Sequence, residues 1–187
     1  MRVIAGKYRS REVKPPKGEQ IRPTADKVKG ALFNMLEPLR DLAVADFYAG
    51  TGNLGIEALS RGAASVCFVD NGREGLALIR ENLASLKIAE GPMGPARVLA
   101  LDVAQAFFNL HQEKRLFDIL LADPPYEKGA LKRLQTLLMK HPILKPGGVL
   151  AVEHGSQDLE MEPAFPHALS RQKKYGDTYL SLFKSGE

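Results

Sequence analysis

Cysteine occurs once, at Cys67, tryptophan not at all, and aromatic residues make up only 7% of the 187 positions. A single thiol excludes an internal disulfide framework and a multi-cysteine zinc site, and fits a reducing compartment. No apolar run approaches the roughly 18 residues that cross a bilayer. The opening stretch from Met1 to Arg11 also lacks the apolar segment of a signal peptide. Neither membrane insertion nor secretion is expected; a cytoplasmic location is. Repeats and low-complexity tracts are missing as well. With 44% hydrophobic and 26% charged residues, the chain is long enough for one good core, so a single domain with a small appendage is expected, and the protein is expected to be a monomer.

What the chain does have is an uneven distribution of charge. Residues 1 to 29 carry nine Lys or Arg against three acids, a net of +6, and the remaining 158 carry 17 bases and 19 acids, a net of −2. A basic arm on a near-neutral body suits a polyanion, because neutralising phosphates releases condensed counterions and steers association. Arg2, Lys7, Arg9, Arg11 and Arg22 are the candidate contacts. A solvated tail with no partner is the alternative reading of the same charges.

Lys14-Pro-Pro-Lys-Gly-Glu-Gln20 reads as a boundary. Before it, Val3 to Ala5 and Arg11 to Lys14 are spaced to pair as a hairpin. After it, Thr24 is the expected N-cap of a helix carrying Val28, Leu32, Phe33, Leu36 and Leu39, ended by Pro38. We divide the chain into a basic extension, 1–40, and a main domain, 41–187. From Val44 on, apolar strands alternate with helices. Strands are expected at 44–48, 65–69, 97–101, 117–122 and 149–153, and helices from Asn53, over 72–86, 103–113 and 129–140. Lys145-Pro-Gly-Gly148 reads as a turn, and two strand-like runs flank Tyr175-Gly-Asp177. Such alternation predicts an α/β, Rossmann-like fold with a mostly parallel seven-stranded sheet, helices on both faces, and a terminal hairpin that adds an antiparallel edge strand. The ligand then belongs beyond the strand carboxyl ends, where the strand order reverses.

Two segments fall at that place. Asp46-Phe-Tyr-Ala-Gly50-Thr-Gly52-Asn-Leu-Gly55 contains G-x-G-x-x-G between the first strand and its helix, where glycines let backbone approach a ligand and helix amides face it. Asp70 ends the second strand, placed to accept hydrogen bonds from a ribose diol. Asp46, at the mouth of the first strand, suits the cationic methionine end of S-adenosylmethionine and opposes a pyrophosphate. The second segment, Asp123-Pro-Pro-Tyr126, follows the fourth strand and faces the same cleft. Its prolines hold the backbone extended, and Tyr126 offers a face for stacking. The Asp123 carboxylate and Pro124 carbonyl form an acceptor pair for an exocyclic amine, which is a poor nucleophile until its lone pair is localised.

With these residues in view, the sequence resembles class I S-adenosylmethionine-dependent methyltransferases with a D-P-P-Y motif, and more narrowly the RsmD-type 16S ribosomal RNA guanine-N2 methyltransferases. Arg2 to Lys7, Ile21 to Val28, Ala31 to Asn34, Asp46 to Ala63, Asp123 to Tyr126 and Lys174 to Thr178 carry the likeness. Gly30 departs from it, standing where an acidic residue is expected. The resemblance implies that Ala49, Gly50, Gly52 and Asn53 line the methionine moiety, Asp70 holds the ribose, and Asp102 and Val103 contact the adenine. It further implies Asp123, Pro124 and Tyr126 as the catalytic set, and 16S ribosomal RNA as partner, free or within a small-subunit assembly intermediate.

Asp102 reads equally as an N-cap. D-P-P-Y alone does not choose the base, so adenine-N6 methylation stays open. The literal G-x-G-x-x-G also keeps a nicotinamide-dependent oxidoreductase in play, and the basic arm a non-catalytic RNA-binding protein. The four histidines show no metal spacing; His154, at a strand end, is read as structural. No metal is expected.

Overall fold

The central parallel strands form on predominantly apolar runs, as strands covered on both faces do. In the computed structural model, residues 1–16, 23–125, 129–156, 158, 161 and 164–186 are described, the first three of α1 by backbone alone. The elements are α1 (Pro23–Leu36), β1 (Ala43–Phe47), α2 (Asn53–Ser60), β2 (Ser65–Asp70), α3 (Arg73–Ser85), β3 (Ala96–Ala100), α4 (Val103–Gln112), β4 (Phe117–Ala122), α5 (Ala130–Lys140), β5 (Leu144–Gly155), β6 (Ala168–Tyr175) and β7 (Thr178–Lys184). One seven-stranded sheet has the order β3-β2-β1-β4-β5-β7-β6. The order reverses between β1 and β4, where Phe47 is paired with Ala122, so the ends of these two strands share one opening.

Alternate side chains feed two cores. Val44, Val66, Phe68, Ile119 and Leu121 meet α1, α2 and α3 on one face, whereas Phe47, Val69, Phe117 and Leu120 meet α4 and α5 on the other. The first core also takes in the N-terminal arm: Val3 and Val13 are buried in it. Their strands meet in a single antiparallel bridge, Arg2 with Glu12, flanked by the Val3 amide donating to the Arg11 carbonyl at 2.9 Å.

The terminal hairpin stands as expected: β7 runs antiparallel to β5 and sits between it and β6, and the exposed β6, paired antiparallel with β7, is the sheet edge. Two other expectations need correcting. Lys145 to Gly148 is no separate turn but part of β5; the register jumps from Phe117–Leu144 to Ile119–Val149, so the Pro-Gly-Gly run is absorbed as a bulge. Helix α1 starts at Pro23, the position where a fixed φ and a missing N–H are tolerated, so Thr24 lies within the first turn and not at the N-cap. Its side chain lies outside the described residues.

Candidate active site

Strand β1 delivers Asp46 to the opening and the chain then turns sharply, with positive φ at Tyr48, Gly50 and Gly52 (59°, 55° and 76°). A tyrosine in the left-handed region is uncommon, and such strain gathers at ligand-binding turns. Gly52 caps α2 from that region. Gly55 is needed for packing: a Cβ there would lie 2.3 Å from Cε1 of Phe68 on β2, so only a glycine lets α2 lie this close to the sheet.

Three carboxylates organise the cradle. Asp46 is buried, and one oxygen accepts the Gly55 amide at 2.8 Å. Burial, and after it the charge of Asp70, raises its pKa to about 7, against the pull of that amide. Asp70 accepts the Gly50 amide on Oδ2 and the Gly72 amide on Oδ1, both at 2.7 Å. A carboxylate offers about four lone-pair sites, so two are left for hydroxyl donors. Asp102 caps α4, accepting the Gln105 amide at 2.9 Å; the capping alternative is thus realised. Tyr48, Asp70, Leu101, Asp102, Val103 and Arg133 line one cavity at these strand ends. Tyr48 and Arg133 stand outside the expected set. Tyr48 sits inside the glycine motif, where its side chain carries no signal of its own, whereas Arg133 reaches the cavity from α5, an approach that no local pattern encodes.

Asp123 follows β4 at the same opening and is exposed, whereas Pro124 is buried. Crowding by the surrounding protein, and then the carboxylates of Glu153 and Asp46, push its pKa upward. Tyr126 and Arg22 lie outside the described residues. Ala49 is buried and its amide donates to the Val69 carbonyl at 3.0 Å, which fixes the loop to β2. Asn53, the first residue of α2, accepts a hydrogen bond from Lys29 Nζ at 2.6 Å. Lys29 is itself buried, although the sequence alone shows it only as one charge of the basic arm.

His154 is buried on β5. Its Nε2 lies 2.8 Å from Ser181 Oγ and its Nδ1 lies 3.2 Å from the Gly155 carbonyl. With Nδ1 donating to that carbonyl, Nε2 is left as acceptor for the hydroxyl; burial lowers its pKa. Among the described residues no three His, Cys, Asp or Glu side chains cluster as a metal site. Among them, too, no helix is long and apolar enough to cross a membrane. Arg2, Lys7, Arg9 and Arg11 are all exposed on the docked arm.

A sheet of this order, with a glycine turn after β1, an acid ending β2 and Asp-Pro-Pro after β4, is the class I methyltransferase fold. Residues 1–184 match the model of the family described as Conserved hypothetical protein 95. The chain is 33% identical to the ribosomal RNA small subunit methyltransferase D of Escherichia coli, over 98% of this chain and 89% of that protein. It is 34% identical to the protein of that name from Haemophilus influenzae, over 82% of this chain and 78% of the other. The solved structure of Escherichia coli yhhF superposes with a TM-score of 0.85 at 32% identity, covering 100% of this chain and 98% of the other. The chain belongs to the Conserved hypothetical protein 95 family, that of the RsmD-type methyltransferases.

Proposed function

We propose that the protein transfers a methyl group from S-adenosylmethionine to the exocyclic N2 of a guanine in small-subunit ribosomal RNA. The observation that carries this reading is the convergence of Asp46 and Asp123, two carboxyls with raised pKa, at the paired ends of β1 and β4. Acids crowded together at one opening are relieved by a cation and aggravated by a pyrophosphate, which disfavours a dinucleotide. The residues fit S-adenosylmethionine: Asp46 and Asn53 at its methionine end, Asp70 with two acceptor sites for the ribose, Asp102 and Val103 beside the adenine. When bound, it supplies an electrophilic methyl group on a sulfonium.

The chain's own contribution is positioning. Asp123 and the Pro124 carbonyl hold the amine protons of a base drawn out of its stack, and Tyr126 stacks on that base; unstacking costs a few kcal/mol, which these contacts offset. Asp123 and the Pro124 carbonyl would hold the amine nitrogen in line with the methyl group that S-adenosylmethionine supplies, and Asp123 or water would take the proton that the methylated amine sheds. No strong base is required, because alignment supplies most of the acceleration. The basic extension, residues 1–40, holds RNA phosphates through Arg2, Lys7, Arg9, Arg11 and Arg22. The two relatives are named for small-subunit ribosomal RNA, which supports that substrate here.

The test is incubation with labelled S-adenosylmethionine and unmodified small-subunit RNA, naked and protein-bound, followed by nucleoside digestion and mass spectrometry. N2-methylguanosine is expected, and lost when Asp123→Ala is used even though cofactor binding persists. N6-methyladenosine would overturn the choice of base, and full turnover by Asp123→Ala the role of that residue.

A further inference from the structure

Lys29 is buried on the inner side of α1, and its ammonium has three attachments. It donates to the Arg2 carbonyl of the arm at 2.7 Å and to Asn53 Oδ1 at 2.6 Å, and it lies 3.6 Å from Glu57 Oε2 on α2. Asp26, one turn earlier, is 4.0 Å away. An ammonium has no acceptor, so it takes only the oxygen of the Asn53 amide. That fixes the amide's orientation and reserves the two Nδ2 hydrogens for other partners. Asn53 is also the residue that follows Gly52 at the start of α2, where helix amides and a free donor pair both favour a carboxylate.

The arm is tied to the same point from its other side. Glu57 accepts the Ile4 amide on Oε2 at 2.7 Å and the Ala5 amide on Oε1 at 3.1 Å, while also contacting Lys29 and Arg61. One ammonium therefore touches both the backbone of the RNA-facing arm and the first residue of the cofactor helix, with no mobile side chain between. Burial with these partners leaves Lys29 few alternative rotamers, so displacing the arm removes one of the groups that hold Asn53 in place.

We propose that Lys29 is a positioning residue that couples the two substrates: RNA held on the arm through Arg2 and its neighbours tightens the cofactor site through Lys29 and Asn53. This inference rests on the methyl-transfer reading above. Coupling between two binding sites is reciprocal and typically amounts to a factor of about 5 to 150, so the cofactor must tighten RNA by the same factor.

The experiment titrates S-adenosylhomocysteine into the full chain by calorimetry, with and without a small-subunit RNA transcript, for the unsubstituted protein, Lys29→Met and Asn53→Ala. RNA is expected to tighten S-adenosylhomocysteine at least about fivefold in the unsubstituted protein. In Lys29→Met each ligand still binds alone while the factor falls to near one; a merely structural lysine would lower affinity or yield without changing that ratio. Should Lys29→Met fail to fold, Asn53→Ala, altered at the accessible start of a helix, is expected to lose the coupling as well. Coupling kept in either folded variant, or absent from the unsubstituted protein while S-adenosylhomocysteine binds, overturns the inference alone. No binding of S-adenosylhomocysteine to the unsubstituted protein overturns the methyl-transfer reading and this inference with it.

Discussion

Glu57 holds Ile4: a carboxylate at the centre of α2, fully buried, accepts the amide of a residue 53 positions earlier at 2.7 Å. The same side chain takes the Ala5 amide and faces Lys29 and Arg61. Glu57→Ala strands two amides and two buried cations together. Breaking a buried ion pair from one side costs about 3–5 kcal/mol, so urea unfolding should show a loss of that order, with Glu57→Gln in between because its carbonyl still accepts. Trypsin should also cut at Arg9 and Arg11 sooner than in the unsubstituted protein. A change below about 1 kcal/mol would show that Glu57 is not what holds the arm.

The glycines of the two neighbouring helices are expected to behave in opposite ways. Gly55→Ala forces a methyl group to within 2.3 Å of the Phe68 ring and 2.8 Å of Val66; overpacking of this kind costs about 1–3 kcal/mol. Gly30→Ala, inside α1, meets only Ile4 Cγ2 at 4.0 Å and should gain roughly 0.5–1 kcal/mol from helix propensity. Thermal melts of the two variants decide it: both shifting in one direction contradicts the packing argument.

Acidity at the site has a definite sign. The Asp46 carboxyl titrates at about 7 in the folded protein against an ordinary 3.8, so the native state holds its proton more tightly than the unfolded chain does. It is without penalty below about pH 4 and destabilises increasingly as pH rises from there to 7. Asp46→Asn keeps an oxygen for the Gly55 amide and removes the titration. The stability of the variant relative to the parent should therefore climb by a few kcal/mol between pH 4 and 7, at about 1.4 kcal/mol per unit, and level off above. His154 acts oppositely, its contribution fading as pH falls below about 6.5, but it is common to both proteins and cancels. A difference that stays flat with pH would contradict a protonated Asp46.

For the arm, each phosphate that a substitution leaves without its cation lowers the slope of log K against log salt by roughly 0.7 to 0.9. Arg9 and Arg11 are exposed, Arg11 also donating to the Ser85 carbonyl at 3.1 Å. Arg9→Ala and Arg11→Ala should each weaken RNA binding and flatten the slope by about that amount in fluorescence anisotropy across a salt series. Weaker binding with the slope intact would assign them a purely conformational effect.

The alternating strands and helices are legible because hydrophobic periodicity is local: the strand Phe117 to Ala122 and the helix from Asn53 stand where the sequence places them. Asp70 can be found because a strand-ending acid is a positional signal, and Asp102 because an acid just before a helix reads as its cap. Lys145 to Gly148 misleads because Pro-Gly-Gly signals a turn, and only pairing with β4 shows that the strand absorbs it as a bulge. Lys29 is invisible as a buried group, since its burial depends on Glu57 and Asn53, which lie 28 and 24 positions further on. Charge along a sequence does not reveal which lysine finds a partner inside.

The arm's anchors all come later in the chain than the arm: Glu57, Ser60 and Asn82 receive the amides of Ile4, Tyr8 and Lys14. During synthesis the first residues therefore emerge before the helices that receive them, α2 and then α3, have been made. At about 5–20 residues per second, the most basic stretch of the protein stays undocked for several seconds, beside a ribosome built from the same kind of polyanion that its finished form is proposed to grip.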